Sequence, residues 1–138
     1  MEKIYAKNFR DLIVYQKAKA VSRIIFELSK TFPKEETYSL TDQIRRSSRS
    51  IGAQIAEAWG KRPYKKHFIS KLTDSDSEQL DTQHWIGDAA DCKYITKEQE
   101  KDLIERLCEI GRMLNSMMEK SDKFCGSEPD SIRKEVSN

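Results

Sequence analysis

Between Arg45 and Lys71 the chain carries eight cations, Arg45, Arg46, Arg49, Lys61, Arg62, Lys65, Lys66 and Lys71, against the single acid Glu57. Residues 72–91 then carry Asp74, Asp76, Glu78, Asp81, Asp88 and Asp91 with no Lys or Arg. The whole chain is nearly balanced, at +2, so the total charge neither demands nor excludes a polyanionic partner. The local imbalance is the chemistry to explain. A cluster of Lys and Arg can neutralise several phosphates, and each contact releases counterions and makes affinity fall with salt. Tyr64 and His67 sit within the cluster, and an exposed Tyr can stack on an unpaired base, a mode suited to single-stranded or looped RNA.

Two other readings of the same charges stand beside it. Charge runs are commonly solvated faces, and Lys61 and Arg62 fall at a helix C-terminus, where the macrodipole favours cations. Alternatively, a basic strip and an acidic strip on one subunit suit a head-to-tail contact between copies. Arg45, Arg46 or Arg49 would then meet Asp74, Asp76, Glu78 or Asp81 of the next subunit. Trp85 would sit at that boundary, since Trp is enriched at interfaces.

Catalytic and metal chemistry lack support. Ser47, Ser48 and Ser50 have no accompanying base or oxyanion arrangement. Small hydroxyl residues on a helix serve close packing. His67 and His84 are too far apart on one helix to share an ion, and neither has a cysteine at ligand spacing. Asp74, Asp76 and Glu78 alternate along a helix and point in different directions. No Gly-rich phosphate loop is present. Neither an enzyme nor a cofactor or metal site is expected.

These residues must be positioned by helices. Val14, Ala18, Val21, Ile25, Leu28 and Phe32 recur at steps of four and three, the period of an apolar helical stripe. That helix should stop near Thr31, because Pro33 biases Phe32 away from helix. A second helix is expected from Ser39, with its hydroxyl as cap, along Leu40, Ile44, Ile51, Ile55 and Ala58 to a stop at Gly60 and Pro63. The third runs from about Tyr64 to Lys93, roughly 45 Å at 1.5 Å per residue. Its line of Phe68, Leu72, Ser75, Gln79, Thr82, Ile86 and Ala89 is polar in the middle. Such a line either packs on small residues with its polar groups bonded, or faces water or a subunit boundary. Thr96 and Gln99 form a capping box that opens a fourth helix through Leu103, Leu107, Ile110, Leu114 and Met117. Beyond Lys120 the period is lost and Ser, Gly and Pro rise.

The organisation expected is an N-terminal arm over 1–8, an all-α, antiparallel up-down-up-down four-helix bundle over 9–120, and a mostly disordered tail over 121–138. The three cysteines are odd in number and include no CxxC pair, as in a reducing compartment. Cys92 and Cys108 read as buried and Cys125 as exposed. No apolar run approaches the ~20 residues of a membrane span and the N-terminus has no signal-peptide core. A cytoplasmic protein with no membrane partner is expected.

Several blocks resemble a known family. Gln43-Ile44-Arg45-Arg46, Ser50-Ile51 and Ile55-Ala56-Glu57 are similar to the signature of a bacterial four-helix-bundle family encoded by intervening sequences in 23S ribosomal RNA genes. Phe9-Arg10-Asp11-Leu12, Tyr15-Gln16-Lys17-Ala18 and Phe32-Pro33-Lys34 resemble its opening. Phe68-Ile69-Ser70-Lys71-Leu72, Thr82-Gln83 with Trp85, Tyr94-Ile95 and Ile110-Gly111-Arg112-Met113-Leu114 resemble its later blocks. The order and spacing of the blocks, over about residues 9 to 124, make the match specific. Gln54 and Ala58 depart from the Asn and Gly common in the family. The resemblance implies a left-handed bundle that assembles as a homo-oligomeric ring, commonly a homopentamer. It also implies kinship with accessory variability proteins of diversity-generating retroelements, which bind nucleic acid and a reverse transcriptase. The function expected is therefore a non-enzymatic, RNA-binding accessory protein. The alternative is a protein-interaction scaffold whose charges serve assembly alone.

Overall fold

The computed structural model describes residues 6–126. Five helices and two short 3-10 turns account for its regular structure, with no strand among the described residues. The helices are α1 (Ile13–Ser29), α2 (Leu40–Gly60), α3 (Lys65–Asp91), α4 (Lys97–Glu119) and α5 (Ser121–Cys125). The chain is an all-α helical bundle. α1 packs on α2 and α4, and α3 packs on α2 and α4, so the four long helices enclose one core. The contact between α2 and α3 is the most extensive.

The apolar stripes supply that core. Val14, Ala18, Val21 and Ile25 of α1 are buried, as are Ile44, Ile51, Ile55 and Ala58 of α2 and Leu103, Leu107, Ile110 and Leu114 of α4. Each large aliphatic side chain taken from water contributes about 1.5–3 kcal/mol. On α3, Phe68, Leu72, Ile86 and Ala89 bracket a buried polar middle of Ser75, Gln79 and Thr82. The polar groups there are bonded, which removes the cost of burying them. Ser75 Oγ donates to the Ile51 carbonyl at 2.9 Å. Thr82 Oγ1 lies 2.9 Å from Ser47 Oγ and 2.8 Å from the Glu78 carbonyl. Gln79 Nε2 donates to Asp76 Oδ1 at 2.9 Å, and Gln83 Nε2 donates to Gln79 Oε1 at 2.7 Å. Of the alternatives for this line, packing with bonded polar groups is the one realised. Its partners are small: Ser47 on α2, and Gly111 on α4, where an added Cβ would come within 2.9 Å of Gln79 Nε2.

The helix ends differ from expectation in two places. Ser39 stands at the N-cap of α2 but its hydroxyl caps nothing. The Glu36 carboxylate accepts from the Leu40 amide instead, at 3.2 Å, because the 3-10 turn Lys34–Glu36 brings it under the helix end. Tyr94, in the connection from α3 to α4, donates its hydroxyl to the other oxygen of Glu36 at 2.9 Å. That single carboxylate ties together the α1–α2 and α3–α4 connections. The Thr96–Gln99 capping box forms as expected.

The second difference lies beyond Lys120. Residues 121–125, expected in a disordered tail, form α5, which folds back onto α3 and α4. Phe124 stacks on Phe68 with ring centres 5.7 Å apart. Cys125 is consequently buried, not exposed. Cys92, expected inside, is exposed at the C-cap of α3, and Cys108 is half-buried. The rest of the expected tail, and residues 1–5 of the arm, lie outside the described residues.

Candidate nucleic-acid interface

The cations between Arg45 and Lys71 are divided by the fold into three environments. The first lies between α1 and α2. Arg45 reaches across to α1, where its Nε donates to Ser29 Oγ at 2.7 Å. Its guanidinium sits 4.7 Å from the centre of the Phe26 ring. Arg49, one turn on, lies 5.2 Å from the same ring, and the Lys30 ammonium 4.9 Å from it. Cations over an aromatic face are attracted by its quadrupole, so Phe26 gathers three of them. Lys30 also meets Glu27 at 3.2 Å. Arg45 and Arg49 meet no carboxylate among the described residues.

The second environment is the corner from α2 to α3. The Arg62 guanidinium stacks on Trp59 at 3.6 Å and its Nε donates to the Trp59 carbonyl at 2.8 Å. Trp59 is thus a core residue with a cation on its outer face. Tyr64 is 59% exposed, open enough to stack on a ligand, and it meets His67 edge-on with ring centres 6.0 Å apart. Lys65 pairs with Asp122 of α5. Lys61 and Lys66 are exposed and make no ion pair among the described residues. Farther along α3, Lys71 is tied to Glu57 at 3.0 Å and Asp74 at 3.9 Å. The hydrogen bond and charge of Glu57 hold its ammonium above the usual lysine value.

The third environment is an open groove between α2 and α3. Arg46, Arg49 and Ser50 line one wall, and Glu78, Asp81, His84 and Trp85 the other. Arg46 is also bonded to Asp42 at 2.9 Å. Burial, and then the neighbouring Asp81, push the Glu78 carboxyl above its usual value, partly offset by a hydrogen bond from Ser50. His84 lies 3.6 Å from Asp88 and 4.8 Å, ring to ring, from Trp85. The acidic strip is therefore not continuous. Glu78, Asp81 and Trp85 face α2, whereas Asp76 turns to the α3–α4 groove and Asp74 stands beside Lys71.

Reading the sequence missed the α1 contribution. Lys19, Arg23, Phe26 and Lys30 recur at steps of four, three and four, which places them on one side of the helix, beside Arg45 and Arg49 of α2. Their spacing is readable in the sequence, but their place beside Arg45 and Arg49 is set by the packing of α1 on α2. At Gln54, where the family resemblance departs, Oε1 is buried and accepts no hydrogen bond among the described residues. No group of His, Cys, Asp or Glu among the described residues is arranged to hold a metal ion. None of the described helices is long and apolar enough to cross a membrane.

These features define a small helical-bundle protein with a basic flank, a basic corner and a groove of mixed charge. The family model described as 23S rRNA-intervening sequence protein matches residues 10–116. The chain belongs to that family. It is similar to the crystal structure of a protein with unknown function from the S23 ribosomal protein family from Bacteroides thetaiotaomicron VPI-5482. The two share 30% sequence identity with a TM-score of 0.70, over 78% of this chain and 96% of that one. Among curated proteins, none matches.

Proposed function

We propose that this chain is a non-enzymatic nucleic-acid-binding accessory protein, with RNA as its preferred ligand. One observation carries the reading. Arg45, Arg49, Lys61, Arg62 and Lys66 make no ion pair with a carboxylate among the described residues. Unpaired cations on α2, on α3 and at the corner between them, with Tyr64 open at that corner, suit a phosphate backbone and a stacked base. Family membership supports the reading only by association, because a family name drawn from gene location is not a binding activity. The test is retention of the purified protein on RNA and on DNA from ~50 to ~200 mM salt. Affinity falls by orders of magnitude over that range if several phosphates are engaged. Salt-independent binding, or none, removes the reading.

The same reading includes a cytoplasmic bacterial protein built as an antiparallel up-down-up-down, left-handed four-helix bundle. Copies assemble into a ring, a pentamer by the family resemblance, and assist a nucleic-acid-processing partner such as a reverse transcriptase. A second reading, in which the charges serve assembly alone, is favoured by the α2–α3 groove. There Arg46 and Arg49 face Glu78 and Asp81, with Trp85 at the rim. Asp81→Lys combined with Trp85→Ala lowers the mass found by light scattering if copies meet at this groove; an unchanged mass argues against it.

A further inference from the structure

We propose that the α1–α2 face, not the α2–α3 corner alone, is a preformed track for a phosphodiester backbone. Lys19 and Arg23 of α1 and Lys30 at its C-cap join Arg45 and Arg49 of α2, with Phe26 at the centre. The inference rests on the nucleic-acid reading and assigns its main contact to a surface that includes α1.

Three observations carry it. Phe26 is half-buried on this face, and three cationic groups stand 4.7–5.2 Å from its ring centre. Like charges repel, so the convergence of Arg45 and Arg49 on one ring, neither of them ion-paired among the described residues, is a costly arrangement for a surface with no anion to receive. Glu27, bonded to Lys30, is the one acid of α1 itself. Second, the Phe26 ring holds the two guanidinium carbons at 4.7 and 5.2 Å from its centre. Arg45 spends its Nε on Ser29, which fixes its orientation, and retains its terminal donors. Each guanidinium held on the ring can meet a phosphate by charge-assisted hydrogen bonds. Third, Lys19 to Lys30 spans about 16 Å of helix. That length is enough to pass several consecutive phosphates, which rise ~3.4 Å along the axis in each strand of a duplex. Lys19 and Arg23 are exposed and form no ion pair among the described residues.

The experiment measures binding of the full chain to a fluorescent oligouridylate by anisotropy, with salt varied from ~50 to ~200 mM. Four variants are compared: R45Q/R49Q, K19Q/R23Q, K61Q/K66Q and F26L. R45Q/R49Q and K19Q/R23Q each reduce the slope of log affinity against log salt by about 1.4, at ~0.7 per single-strand phosphate contact. F26L keeps every charge, and weakens binding about 2- to 5-fold because the guanidinium groups lose the ring that orients them. R45Q/R49Q removes a tie between α1 and α2, so its fold is checked by circular dichroism. K19Q/R23Q removes no such tie and keeps the test valid if R45Q/R49Q unfolds. Wild-type slopes in R45Q/R49Q and K19Q/R23Q, together with a reduced slope in K61Q/K66Q, overturn the track while leaving nucleic-acid binding intact. Absence of binding by the wild-type protein at ~50 mM salt overturns both.

Discussion

The contact between α1 and α2 and the contacts of α3 with α2 and α4 are built from different chemistry. At the first, aromatic rings and small side chains meet: Tyr15 passes over Gly52 at 3.4 Å from where a Cβ would stand, and Phe26 carries Arg45 and Arg49. At the second, buried hydroxyl and amide groups bond in series, from Ser47 to Thr82 and from Asp76 through Gln79 to Gln83. Cations follow the same division. Those facing α1 rest on a ring and keep their charge available; Lys71, on the side of α3, is matched by Glu57 and Asp74. A count of Lys and Arg therefore misjudges surface potential, because pairing within the chain decides how much of it an outside ligand meets.

Two helical glycines break the comparison most directly. Gly111 faces the polar seam, and a Cβ there would stand 2.9 Å from Gln79 Nε2 and 3.3 Å from Asp76 Oδ1. The buried Gln79 must move and its bond to Asp76 must yield. Overpacking costs about 1–3 kcal/mol and Ala returns about 1 kcal/mol of helix propensity, so Gly111→Ala is expected to destabilise by up to ~2 kcal/mol in a denaturant melt. Thr82→Val keeps the shape and removes the donor to the Glu78 carbonyl and the link to Ser47. It is expected to cost about 1 kcal/mol, a typical net hydrogen bond. Gly52→Ala meets Tyr15 at an ordinary contact distance, so the gain in helix propensity prevails and stability rises by up to ~1 kcal/mol. A loss at Gly52 as large as that at Gly111 would erase the distinction between the two contacts.

The apolar stripes made the four long helices legible, because burial repeats with the period of the helix and residue type reports burial. The polar middle of α3 was also visible as Ser75, Gln79 and Thr82. Its meaning was not, since bonding depends on Ser47, Ile51 and Gly111 being brought opposite by tertiary packing. The grouping of the cations was legible only in part, for a similar reason. Sequence adjacency places Arg45 near Arg46, but about 100° of rotation per residue sends one toward Phe26 and the other toward Asp42. The Lys19–Lys30 line was readable by spacing, yet its junction with Arg45 and Arg49 required the fold. α5 was missed because five residues carry no period, and Phe124 finds its place only against Phe68.

The smallest expected effect concerns the carboxylate that joins the helix connections at one end of the bundle. Its hydrogen bond, and then burial, raise the Tyr94 phenol to about 12 from an ordinary value of 10. The hydroxyl must keep its proton to donate to Glu36, so the protonated form is favoured in the folded state. A raised folded value gives stability that is fully present below the unfolded value and lost as pH climbs through the folded one. Tyr94→Phe is therefore expected to melt slightly below the wild-type protein at neutral pH. That deficit should shrink between pH 10 and about 12, as the wild-type phenol ionises beside a carboxylate. A deficit that stays constant across the window would mean that the proton shared with Glu36 contributes nothing, and that Phe32, whose ring centre lies 5.4 Å from that of Tyr94, holds the connection by packing alone.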